Sequence, residues 1–173
     1  MDEPIDVLYE LNADAWNRLQ DALANVTPEE SGWRPLPEAN TIGVIVRHLR
    51  IEAAWHVKSL RDGAPMPTIA APVVQAELDA IPLDFAVNVS ALTQYQSGYL
   101  ATLRASTIAT LRERTRQAYG DVVGAKSHFI AYHNAIHLTT HCGQIRMLRN
   151  LYRRTRGESA LFVPENPTYL RTR

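Results

Sequence analysis

Apolar residues recur at intervals of three and four along most of this chain, which is the spacing of amphipathic helices. The first such segment runs from about Pro4 to Asn25, and the second from about Thr41 to Leu60. A third covers about Val87 to Arg104, and the last runs from about Gly124 to Arg156. No segment shows the alternation of a strand, so the pattern predicts four long helices.

The residues between these segments predict turns and one long connection. Thr27 to Glu30 has the capping-box pattern of a short helical turn, and residues 107–117 predict another one. Four prolines break the chain between the second and third long helices: Pro65, Pro67, Pro72 and Pro82. We therefore predict an all-α, up-and-down four-helix bundle with a long crossover between helices 2 and 3.

Size and charge narrow the class of protein. The 173 residues suit one domain, predicted as 1–173 with an irregular C-terminal tail at 158–173. Lysines plus arginines number 18 and acidic residues number 18, so we expect neither a nucleic-acid nor a membrane partner. The single cysteine, Cys142, excludes an intrachain disulfide. With no apolar run long enough to span a bilayer, a cytoplasmic location is expected.

The last helix carries two histidines on its buried face. At about 100° per residue, seven positions form a single stripe, namely Ile130, Asn134, His137, His141, Ile145, Leu148 and Tyr152. His137 and His141 are one turn apart, so their side chains leave the same face and are close enough to share one ion. Two histidines four residues apart are by themselves a weak motif, since a core histidine more often makes only a hydrogen bond.

Helix 2 strengthens the metal interpretation. His48, Glu52 and His56 lie on its inward arc, and burying such groups is costly unless they are paired or bind a cation. We therefore predict that His48, His137 and His141 hold one divalent metal ion, with nickel, zinc and iron as the candidates. Three protein ligands leave a coordination position open, as in catalytic sites.

Several residues near the predicted metal site have more than one interpretation. Glu52 is a candidate catalytic base, an orienting partner of a ligand, a fourth ligand, or a carboxylate reaching the rim. His133 lies one turn before His137 and is an alternative ligand, whereas His56 and His128 are expected to be structural or exposed.

Two further residues of interest follow His141 on the last helix. Cys142 should point about 100° away from His141 and is expected to be a packed thiol. Gln144 returns to the metal face and is a candidate for orienting a ligand or a substrate, or for catalysis; alternatively, it simply caps the packing. The basic end of this helix predicts solvated last turns, although its arginines could also hold an anionic molecule.

Five segments carry a family resemblance: Trp33–Pro37, Thr41–Gly43, Arg47–Leu49, His137–Ile145 and Pro164–Tyr169. Together they resemble the DinB-like superfamily, which includes the YfiT-type metal proteins and thiol-dependent S-transferases. The resemblance covers nearly the whole chain, and its strongest part is the helix that reads HLTTHCGQI.

This resemblance implies an up-and-down bundle, frequent homodimers, and a divalent metal on three histidines. Carried over by motif, the ligands are again His48, His137 and His141. Cys142 stands where the family often has His or Arg, which is a departure from the commonest pattern.

Two classes of function follow. The first is a metal-dependent transferase that uses a low-molecular-weight thiol and a small-molecule substrate, with arginines near the open end holding the carboxylates of the thiol; a metal-dependent hydrolase is an alternative. The second is a non-enzymatic, stress-related metal-binding bundle that acts as a dimer.

Overall fold

The structure, a computed structural model, describes residues 3–67, 76, 79–119 and 129–162. These ranges contain helices and connections but no strand, which confirms the predicted all-α class. The helices are α1 (Glu3–Leu23), α2 (Pro28–Gly32), α3 (Ile42–Asp62), α4 (Phe85–Arg104), α5 (Ile108–Tyr119) and α6 (Phe129–Thr155). Three elements of the sequence prediction lie outside the described residues, namely His128, the Pro164–Tyr169 motif and the first turns of a last helix starting near Gly124.

Local sequence signals set the helix ends. The side chains of Thr27, Thr41 and Asp84 each accept a hydrogen bond from a backbone N–H in the first turn of α2, α3 and α4, which satisfies a donor that has no partner within the helix. Gly63 ends α3 with a φ of 67°, a left-handed conformation that glycine adopts without steric cost. Residues predicted as a short turn after α4 instead form α5, which has 12 residues.

The four long helices form a closed ring in which α1 packs on α6, α6 on α3, α3 on α4, and α4 on α1. Contacts along α3 pair Arg50 with Asn88 and His56 with Tyr99, so α3 and α4 run in the same direction. With α1 taken as up, the four long helices therefore run up, down, down and up along the chain rather than alternating in direction. Parallel neighbours need a long connection, and 22 residues, 63–84, separate α3 from α4 where the prolines predicted the crossover.

The interior consists of two apolar clusters with a polar layer between them. One cluster is centred on Leu19, Leu49 and Ile145, and the other on Leu60 and Tyr99. Between them, each long helix contributes at least one buried polar side chain: Asn12, Glu52, His56, Gln96 and Asn134. Asn134 links this layer by hydrogen bonds to Asn12 and Gln96. The candidate chemistry lies beside this layer, on the faces of α3 and α6 that meet.

No helix within the described ranges combines the length and the apolar character needed to cross a lipid bilayer.

Candidate metal centre

The structure brings the three predicted ligands together. His48 comes from α3, and His137 and His141 come from successive turns of α6. The Nε2 atom of His137 lies 3.0 Å from Nε2 of His48 and 3.0 Å from Nε2 of His141. One ligand atom from each of the three residues lies within 4.8 Å of the others. The three imidazoles thus present nitrogen atoms to a common point, and each remains partly exposed to solvent.

Gln144 orients one of these rings. Its amide oxygen accepts a hydrogen bond from Nδ1 of His141, with 2.7 Å between the two atoms. A neutral imidazole that carries its proton on Nδ1 has a lone pair on Nε2. Gln144 therefore directs the lone pair of His141 towards the other two histidines. Such outer hydrogen bonds fix the tautomer and orientation of metal-binding histidines.

The contacts within the triad fit a cation better than they fit hydrogen bonds alone. Because Nε2 of His141 has a lone pair, only a proton on Nε2 of His137 could bridge that contact. The same proton cannot also lie along the contact with His48. A divalent ion with bonds of about 2.1 Å to nitrogen holds neighbouring ligand atoms about 3 to 3.4 Å apart, close to the observed 3.0 Å separations.

Burial keeps these histidines neutral, which is the form that binds metals. Burial, with a smaller contribution from His141, lowers the pKa of His48 to about 4. Burial and the neighbouring histidines, His141 first among them, lower the pKa of His137 to about 2. The pKa of His141 is also lowered by burial, although its hydrogen bond to Gln144 opposes the shift. At neutral pH the site therefore offers three uncharged nitrogen ligands.

Glu52 does not join the triad. Its carboxylate lies instead with His56, two turns after His48 on α3, and with His133, one turn before His137 on α6. Glu52 is 2% exposed, so the interpretation as a carboxylate reaching the rim is wrong. His56 is fully buried, and His133 contacts it rather than replacing a triad ligand.

Cys142 is a packed thiol, as predicted. It is buried, and its Sγ donates a hydrogen bond to the backbone carbonyl of Arg18 in α1. Burial raises the pKa of its thiol. The side chain therefore faces α1 and not the triad, which is consistent with the 100° turn that separates it from His141.

Near the end of α6, Arg154 and Arg156 are exposed, as expected of solvated last turns, whereas Arg149 is buried. Arg149 is 4% exposed, and it donates hydrogen bonds to the Glu30 carboxylate and to the backbone carbonyls of Ala22 and Ala24. Arg153 and Arg156 form ion pairs with nearby glutamates. These arginines line a cavity of about 440 Å³ whose lining includes none of the triad histidines. Because they are paired at a separate location, they do not form an anion-binding rim around the triad.

The residues that sequence reasoning missed belong to the polar layer. Asn12 and Gln96 each interrupt the apolar stripe of a helix, and that interruption was the available signal. Tyr119 of α5 lies near Glu52. Burial, with a smaller contribution from Glu52, raises the pKa of this tyrosine to about 12. Nothing in the spacing of α5 indicates this proximity, because it depends on how α5 packs against α3.

We compared the sequence and the structure with known proteins, and one family model matches the chain. No curated protein and no solved structure matches the chain. A family model described as mycothiol-S-transferase matches residues 8–154, a range that contains the triad, Gln144 and the whole ring of long helices except the ends of α1 and α6. This match confirms the resemblance to the DinB-like superfamily. The chain therefore belongs to the mycothiol-S-transferase family.

Proposed function

We propose that this protein is a metal-dependent S-transferase that joins the sulfur of a low-molecular-weight thiol to a small electrophilic molecule. His48, His137 and His141 hold one divalent cation, and the thiol is mycothiol, as the name of the family indicates. The observation that carries the proposal is the convergence of three neutral imidazoles, one of them oriented by Gln144. In this proposal, residues 1–173 form one domain.

The chemistry required is the conversion of a weakly acidic thiol into a thiolate at neutral pH. A bound divalent cation supplies this by lowering the pKa of a coordinated thiol. The protein contributes three neutral ligands, whose low pKa values keep protons from competing for the nitrogens. Their partial exposure gives the thiol and its acceptor a route from solvent.

The nucleophile must come from the thiol substrate, since the protein places none of its own thiols at the site. Cys142 is directed at α1, and burial raises the pKa of its thiol rather than lowering it. A reactive cysteine needs the opposite environment. The sulfur attacks the electrophilic carbon and forms a carbon–sulfur bond while the bond from that carbon to its leaving group breaks. The leaving group departs with the bonding electrons, and the thiol proton goes to solvent.

The test combines metal content with thiol consumption. Untagged protein purified without chelators should contain bound divalent metal and should consume mycothiol in the presence of a panel of electrophiles. Chelation should abolish the activity, and added nickel, zinc or iron should restore it to different extents, which identifies the working metal.

The matched variants are His137→Ala, which should lose the activity, and Cys142→Ala, which should retain it. A metal-bound protein that hydrolyses esters or amides and ignores thiols would be a hydrolase. A metal-bound protein with neither activity would overturn the transferase proposal in favour of a non-catalytic bundle.

A further inference from the structure

A second group of metal-ligating side chains lies next to the triad, deeper in the bundle. It comprises Glu52 and His56 of α3, one and two turns after His48, and His133 of α6, one turn before His137. One ligand atom from each residue lies within 4.8 Å of the other two. Nε2 of His56 is 3.1 Å from Nδ1 of His133 and 3.9 Å from Oε2 of Glu52.

None of the described residues gives Glu52 a counter-charge or a hydrogen bond that explains its burial. The residue is 2% exposed, and within the described part of the chain its Oε1 atom has no hydrogen-bond partner. The 3.9 Å separation between Oε2 and His56 is too long for a hydrogen bond. An ionised carboxylate in such a place is costly unless it is paired or coordinates a cation.

The two imidazoles next to Glu52 can supply nitrogen ligands. In its neutral form each ring has one nitrogen with a lone pair, and one ring nitrogen of each residue lies within 4.8 Å of a carboxylate oxygen of Glu52. The cluster therefore combines one carboxylate with two nitrogen donors.

We propose that Glu52, His56 and His133 form a second divalent-cation site in this protein. Two imidazole nitrogens and one carboxylate oxygen suit Zn²⁺, Fe²⁺, Mn²⁺ or Co²⁺, whereas Mg²⁺ and Ca²⁺ favour oxygen ligands alone. The single negative charge of Glu52 offsets part of the charge of the ion, and the ion relieves the burial of the carboxylate.

The second site lies directly against the first, because its two histidine rings contact the ring of His137. The ring of His137 stacks on that of His133, with centroids 5.7 Å apart and planes 12° apart, and it also meets the edge of His56 at 6.2 Å. An ion held by His56 and His133 would fix the rings against which His137 packs. The second site does not depend on the transferase proposal, because none of its three ligands belongs to the triad.

Stoichiometry tests the proposal. Untagged protein is stripped with a chelator, dialysed to equilibrium against Zn²⁺, and assayed for zinc per chain. We expect two ions in the wild type, one in Glu52→Gln and one in the control His141→Ala, with the double variant binding none. His133→Gln provides an independent arm, because this half-buried residue is more tolerant of substitution if Glu52→Gln fails to fold.

Two outcomes would overturn the second site. One is a wild type that binds a single ion which Glu52→Gln and His133→Gln retain; the cluster would then be a hydrogen-bonded or hydrated group that includes the Tyr119 hydroxyl, which also has no partner among the described residues. The other is a second ion that survives both variants. Loss of thiol transfer alone would contradict the proposed function and leave this stoichiometry unchanged.

Discussion

Replacing Gln144 tests whether the triad is organised for metal binding by a hydrogen bond outside it. Gln144→Ala removes the acceptor that lies 2.7 Å from Nδ1 of His141 and holds its lone pair towards the other two ligands. Outer partners of this kind change metal affinity by about 10- to 100-fold. Gln144 is exposed, and water can replace part of its role, so we expect about a tenfold loss, or about 1.4 kcal/mol.

Competition between the protein and a chromophoric chelator for Zn²⁺ measures this loss directly. Gln144→Glu serves as the matched control, because a carboxylate accepts the same hydrogen bond and should keep or raise the affinity. Both variants should melt at nearly the wild-type temperature without metal, since the residue is exposed and packs no core. If Gln144→Ala binds Zn²⁺ as tightly as the wild type, the hydrogen bond does not organise the site.

Three further predictions concern the surroundings of the site. Cys142→Ala should keep metal and activity, measured by elemental analysis and thiol consumption; loss of activity in a folded variant would make the thiol a participant. Arg149→Ala should destabilise the protein by about 3 to 5 kcal/mol in urea unfolding, because it leaves the buried Glu30 carboxylate unpaired, whereas exposed Arg156→Ala should change little; equal effects would refute the distinction. Metal-free protein should lose stability as the pH falls from about 6.5 towards 4. In this range His48 and His56 bind protons in the unfolded state but not in the folded state, where burial lowers their pKa values. A denaturation midpoint that does not change across this range would contradict the burial of these two residues in the neutral form.

Helical periodicity predicted the long helices well because each helix buries one face. The buried side of α3 contains Ile45, Leu49 and Leu60, and the stripe on α6 runs through His137 and His141 to Tyr152, as predicted. Spacing alone could not give the direction of α4 relative to α3, because a long connection permits either arrangement. The contacts of Arg50 and His56 with α4 settle that direction.

The triad was predictable because two of its members are one turn apart and the third interrupts another buried face. The neighbours of Glu52 were harder to predict, because the inward arc of α3 does not reveal which histidine across the interface will lie beside it. That pairing follows from the antiparallel register of α3 and α6, which sets His48 against His137 and His56 against His133. The burial of Arg149 likewise depends on Glu30 of α2, which is distant in sequence.

The proposed transferase function requires that a metal ion on the triad bind the sulfur of a thiol substrate. The most direct measurement is the optical spectrum of cobalt-substituted protein, recorded for the wild type and for Glu52→Gln so that the triad is examined alone. Addition of mycothiol should produce an intense near-ultraviolet sulfur-to-cobalt band and change the visible bands, and His137→Ala should show neither. A cobalt-loaded wild type whose spectrum is unchanged by saturating thiol would contradict the account.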